Sequence, residues 1–333
     1  MIFNHGSDKN GLLCGYRFVG GAPGEAIGLD EALAWLREDG HATTDFVWLH
    51  FNLSDAKAES FIRDELQAVP EFVDALHEGS RSSRVEDAHD RLLAVINDVA
   101  FEFSFDPSEI ATLWIEVRPH LALSARLHPL RSIDRLREAV RNGVRFESSF
   151  AFMNRLMHDQ GDVLEGIVRR ATVQVDEVED RLLTGRVARQ RSELGKLRRV
   201  LVRLQRLLAP EPTALFRLLR QPPPWVGETD LEALRQATEE FSYVLRDLAS
   251  LHERIKLLQE EITAHVGEQT NRSVFTLTVV TVLALPINII AGLLGMNVGG
   301  IPLAQDPHGF LVVAIIVIAV TVIGGWFAFR RRD

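Results

Sequence analysis

Two uncharged runs set the end of the chain apart from everything before them. Ser273 to Leu294 spans 22 positions without a charge, and Phe310 to Phe329 spans another 20. As a helix the first run would extend roughly 33 Å, enough to cross a hydrocarbon layer about 30 Å thick. The pattern predicts transmembrane helices over 273–294 and 310–329, joined by an outer loop over 295–309. Pro286 lies inside the first run and is expected to bend it, which membrane helices tolerate when neighbours satisfy the freed carbonyl.

Ahead of the spans the periodicity changes twice. Gly15 to Val19, Asp45 to Leu53 and a block from Leu92 to Leu127 are rich in Val, Ile, Phe and Trp and read as strands. Helical patterns intervene at Leu29–Glu38, with Asp30 as a candidate cap, at Ala56–Leu66 and at Glu71–Glu78. The mixed order predicts an α/β domain over 1–131. From Ser132 the strand signal vanishes. Leu and Val recur at three- and four-residue steps from Phe150 to Leu219, broken at Pro210 and Pro212, and the simplest arrangement over 132–224 is a helical hairpin. After the Gln221-Pro222-Pro223-Pro224 stop, Glu228-Thr229-Asp230 offers a helix start. No proline interrupts 230–285, so a stalk helix over 225–272 is expected to run straight into the first span, about 65 residues in all. Val244, Leu248, Leu251, Ile255, Leu258 and Ile262 form an apolar stripe, read as wanting partner helices from other copies of the chain. The fold class is an α+β membrane protein: an N-terminal cytoplasmic α/β domain, a helical hairpin and a very long stalk helix entering the first of two transmembrane helices.

Charge adds orientation. Arg272 precedes the first span and Arg330, Arg331 and Arg332 follow the second, in a tail over 330–333, whereas the intervening loop has no Lys or Arg. The positive-inside rule puts both termini in the cytoplasm and the short loop outside. Trp326 suits an interfacial anchor. The polar first ten residues show no leader, and the single cysteine, Cys14, excludes an intrachain disulfide; both fit a soluble part in a reducing compartment. A net charge of −9 disfavours nucleic acid as a partner. Glu228 to Glu268 carries ten acids against four bases, a solvated face that would also concentrate cations. Arg186 to Arg206 is basic and reads as a solvated helix face, with contact to anionic lipid or an acidic helix as the sharper alternative. Glu86, Asp87, His89 and Asp90 read as a charged turn between strands. Phosphate-loop, zinc-protease and nucleophile-elbow motifs are all missing, so an enzyme is not expected, nor any cofactor.

The first span closes on Gly295-Met296-Asn297. With two C-terminal spans, a long preceding helix, a short loop and a basic end, this tripeptide resembles the signature of the CorA superfamily of divalent-cation transporters. The resemblance covers the whole architecture and is densest from Asn271 to Asn297, including Leu285-Pro286 and Ala291-Gly292. Val298-Gly299-Gly300-Ile301-Pro302, with no Glu after Pro302, is similar to the zinc-transporter (ZntB-like) branch.

The resemblance implies a homopentamer whose first spans line a central pore. Matching pore positions are Asn271, Val274, Leu277, Leu285 and Asn288, with Gly295, Met296 and Asn297 as selectivity filter. An independent check is that the first five fall within an arc of roughly 120° at 100° per residue. A ring of Asn297 amides would hold a hydrated ion, Asn288 would form a second polar ring, and Val274 and Leu277 an apolar constriction. Gly295 would permit a tight turn, and Met296 would pack at the helix end. Zn²⁺ as cargo calls for nitrogen donors; His252, His265 and His308, with Asp306, are the candidates, and His265 or Asp306 could instead relay a proton if transport is coupled to H⁺. The alternatives are a magnesium or cobalt channel of the same fold, and a membrane-tethered sensor or scaffold that transports nothing.

Overall fold

The computed structural model describes residues 8–78, 83–88, 90–100, 103–183, 190–296 and 307–330. It divides into two units, Met1–Gln259 and Glu260–Asp333.

In the first unit seven strands form one sheet. They are β1 (Leu12–Phe18), β2 (Glu25–Ala26), β3 (Phe46–Asn52), β4 (Arg84–Ala88), β5 (Arg91–Val99), β6 (Ile110–Arg118) and β7 (Leu121–Arg126), in the order β2-β1-β3-β7-β6-β5-β4. Only the β3–β7 pair is parallel; every other neighbouring pair is antiparallel. Helices cover both faces. On one side lie α1 (Leu29–Leu36), α2 (Ala58–Asp64) and α3 (Pro70–Glu78), over Val47, Leu49, Phe51, Leu93, Val95, Leu121 and Leu123. On the other lie α4 (Arg131–Arg141), the start of α5 (Ser149–Leu183) and α7 (Glu211–Arg220), over Phe46, Trp48, Leu92, Ala94, Ile96, Leu113 and Ile115. Strand side chains alternate between faces, and here both faces are dry. The central strands are therefore continuously apolar, which is why they stood out in the sequence. The two largest buried rings keep a polar partner: Trp48 Nε1 donates to Ser124 Oγ at 2.9 Å and Trp114 Nε1 to the Ala75 carbonyl at 2.8 Å.

Two local expectations are corrected and a third is met. Glu86 and Asp87 belong to β4, paired with Leu93 and Leu92, and not to a turn; His89 lies outside the described residues. β4 is an edge strand in which Glu86 and Asp87 are exposed between the buried Val85 and Ala88, and charge on an edge discourages further pairing. Helix α1 is capped by Gly28, and Asp30 sits inside its first turn, where an acid complements the helix dipole without capping. The proline pair breaks the helices as expected: Pro210 caps α7, and Pro212 sits in the first turn, where a missing N–H costs nothing.

The hairpin consists of α5 and α6 (Gln190–Leu208), and it is followed after α7 by α8 (Glu228–Leu294), a single helix of 67 residues. Along the first unit α8 runs in the same direction as α5: Asn154 Nδ2 donates to the Asp230 carbonyl, and Arg254 pairs with Asp176 and Glu179. Arg198 of α6 reaches Gln259 at 3.0 Å and His252 at 3.4 Å. The stripe Leu248, Leu251, Ile255 and Leu258 is buried. The expectation that it needs other copies of the chain is overturned, because the α5–α6 hairpin lies alongside it.

Candidate functional site

The site expected from the sequence lies on the last part of α8, in the second unit with α9 (Gly309–Arg330). Helix α8 continues through a β-branched, apolar stretch. The Thr276, Thr278 and Thr281 hydroxyls donate to the carbonyls four residues back, at 2.8–2.9 Å. They thus carry their own partner and can face lipid. The helix also continues through Pro286 to Leu294. An 18-residue window within α8 has a mean hydropathy of 2.3, long and apolar enough to cross a membrane, and none of its residues is fully buried in the protomer.

Asn271, Val274, Leu277, Leu285 and Asn288 are all exposed, Leu277 by 68% and Leu285 by 58%. The half-buried positions are Val279, Leu283, Ala284, Pro286, Ile287, Ile290 and Leu294. Leu283 nests against Gly324 of α9, where an added Cβ would meet Leu283 Cδ2 at 2.9 Å. Val279, Leu283, Pro286, Val320 and Gly324 also line an apolar cavity of about 300 Å³ between the two helices. At 100° per residue the α9-packed face and the asparagine face point roughly 180° apart. The second helix therefore occupies one side of α8 and leaves the amide-bearing side open. Unlike the threonines, the amides of Asn271 and Asn288 have no hydrogen-bond partner among the described residues. An amide in hydrocarbon without a partner costs several kcal/mol, roughly 2–7 by transfer. The arrangement makes sense only if that side meets water or other polar groups.

At the end of α8 the Gly295 amide donates to the Ala291 carbonyl at 2.9 Å. A Cβ at Gly295 would stand 3.0 Å from that same oxygen, a contact the missing side chain avoids. Met296 is 50% exposed, not packed within the protomer. Asn297 and Asp306 lie outside the described residues.

The nitrogen donors fare unevenly. His252 accepts from Arg198 Nε, so its ring is held by α6 rather than presented on the open side of the stalk. His265 is exposed and 3.9 Å from Glu261, one turn earlier on the same helix. His308 precedes α9 and is exposed, its carbonyl accepting from Val312. None of these belongs to the three-residue group of ligand-type side chains found among the described residues, which is His158, Asp159 and Asp162 on α5, with ligand atoms within 4.8 Å of one another. That group escaped the sequence reading because its spacing of one and three residues matches no ligand motif. Arginines already match its acids: Arg155 lies 3.1 Å from Asp159 and Arg135 lies 3.5 Å from Asp162. Burial raises the Asp159 carboxyl above its ordinary range, against the pull of Arg155.

Residues 43–331 match the family model described as "CorA-like Mg2+ transporter protein". The chain is 28% identical over 328 residues to the divalent cation transporter CmaX of Pseudomonas aeruginosa, covering 97% of each chain. It is 23% identical over 292 residues to the zinc transport protein ZntB of Yersinia pestis, covering 87% of this chain and 89% of that one. The solved structure of full-length CmaX superposes with a TM-score of 0.81 at 27% identity, covering 98% of both chains.

Proposed function

The chain belongs to the CorA-like family of divalent-cation transporters, and from that premise we propose that it carries Zn²⁺ through the axial pore of a homopentamer in the bacterial inner membrane. The observation that carries the reading is the sidedness of α8. Its asparagine side, Asn271 to Asn288, is open in the protomer, while α9 covers the opposite side. Five such sides turned toward one axis would surround a polar path about 25 Å long, from 17 residues at 1.5 Å each.

In this reading the ring of Asn297 amides at the outer mouth is the filter. Amide oxygens are hard, neutral acceptors that can hold a divalent ion by its water shell, which small divalent ions give up reluctantly. Asn288 offers a second ring two to three turns further in. Leu277 and Val274 form an apolar constriction where water is excluded unless the ring widens. Asn271 marks the inner exit, with both termini on the cytoplasmic side. The acids of α8, Glu260, Glu261 and Glu268 among them, raise the local cation concentration there. Zinc as cargo is supported by the Gly299-Gly300-Ile301-Pro302 segment and by the ZntB relatives. Magnesium is the second reading, favoured by the description of the matching family model.

The test is ion uptake into proteoliposomes holding purified protein. Wild type is expected to admit Zn²⁺ in preference to Mg²⁺, and Asn297→Ala to lose that selectivity while keeping its oligomeric mass. Preference for Mg²⁺ would reverse the choice of cargo, and full selectivity in Asn297→Ala would remove the filter role.

A further inference from the structure

The sheet and the helical layer meet at a buried polar junction that ion passage does not use. Glu211, the first residue of α7, is 1% exposed. Gln160 of α5 donates through Nε2 to Glu211 Oε2 at 3.2 Å and to the Asn97 carbonyl of β5 at 2.9 Å. Ser83 bonds to the Glu211 carboxylate as well, and its backbone N–H donates to the Leu207 carbonyl at the end of α6 at 2.8 Å. The Asn97 amide donates back to Ser83 Oγ. The carboxylate thus joins α5 and α7 to Ser83 at the head of β4, and the Ser83 backbone in turn holds the end of α6.

What surrounds that carboxylate is unusual for an ionised group. Among the described residues the charged group that faces it is Asp98 of β5, an acid, and no cation pairs with it. Asp98 is itself held by the N–H and hydroxyl of Ser132 on α4 and by the Val99 N–H. From α5 comes only the neutral Gln160, and from α6 only a backbone carbonyl. Burial, with a smaller push from Asp98, moves the Glu211 carboxyl up to about 7, against the hydrogen bonds from Ser83 and Gln160. Gln160 Oε1 is buried with no hydrogen-bond partner.

We infer that Glu211 is the proton-binding element of a latch joining α5, α7 and the β4–β5 edge. The sign follows from linkage. The folded-state carboxyl holds its proton more tightly than the unfolded one, whose ordinary value is 4.5. The junction is therefore firmest below that value and loosens as pH rises toward 7, after which the loss is complete.

Amide hydrogen exchange on the full-length protein in detergent reads the latch directly. In wild type, local opening at the α7 amides, corrected for intrinsic chemistry, should become about tenfold more frequent between roughly pH 6 and pH 8. In Glu211→Gln that rise should vanish. Ser83→Ala, which removes a donor favouring the charged form, should move the midpoint to higher pH and serves if Glu211→Gln folds poorly. A flat wild-type profile, an unaltered rise in Glu211→Gln, or an unshifted midpoint in Ser83→Ala would each overturn the latch.

Discussion

Asn271 and Asn288 are informative because of what their neighbours do not need. The hydroxyls on the same span bond back to their own helix, so Thr276, Thr278 and Thr281 say nothing about which side is wet. An amide cannot be satisfied that way so readily, and these two fall on one side. Asn288 was legible in the sequence as a polar exception in the apolar run, and Asn271, just ahead of the run, as a position on the same side in helical register. The packed side was not, because Leu283 and Leu285 are the same residue type and only the nesting of Leu283 on Gly324 separates them. A second residue with a large expected effect lies in the sheet. At Gly15 of β1 a Cβ would stand 2.7 Å from the Ile27 carbonyl oxygen, which is backbone and cannot swing away. Gly15→Ala should cost about 1–3 kcal/mol and lower the melting temperature of the soluble domain by several degrees. An unchanged melting curve would show that the β1–β2 region is more compliant than its hydrogen bonds indicate.

Among the elements, α8 was the most legible and its surroundings the least. Its start at Glu228, its uninterrupted course and its entry into the span all follow from the absence of breakers and the change in charge density. Its apolar stripe was equally visible, but a stripe does not say what covers it. The hairpin does so within the chain, fastened by Arg254 to Asp176 and Glu179. Those three side chains are each more than a third exposed, so the clasp is screened by solvent. Arg254→Ala is expected to cost at most about 1 kcal/mol, shrinking further in high salt, as read by chemical denaturation at low and high ionic strength. A loss of several kcal/mol would mean the clasp, not the stripe, holds α5 to α8. The strands show the reverse pattern. β3, β5, β6 and β7 were conspicuous because they are dry on both faces, whereas the edge strand β4 and the two-residue β2 lack any run long enough to register.

For the molecule as a whole, the family and the open side of α8 point the same way. The protomer displays an apolar span with Asn288 on its open side and Asn271 just ahead of it on the same side, and neither amide has a hydrogen-bond partner among the described residues. Copies of the chain can wet that side by closing around an axis; a lone helix pair in lipid cannot. The solitary cysteine makes this testable with little background. Cys14 sits on β1, where burial pushes its thiol up to about 11 despite the nearby Arg137, so it reacts slowly with thiol reagents near neutral pH. In a Cys14→Ser background, Asn288→Cys and Ile316→Cys place one thiol each on the amide side of α8 and on the exposed surface of α9. The decisive measurement is the rate at which a charged, membrane-impermeant thiol reagent modifies each variant in sealed proteoliposomes, with and without Zn²⁺. The account predicts modification of Asn288→Cys that Zn²⁺ slows, and little reaction of Ile316→Cys in either condition. Inert Asn288→Cys beside reactive Ile316→Cys would mean that α8 turns its amides to lipid, and the pore would have to be sought elsewhere.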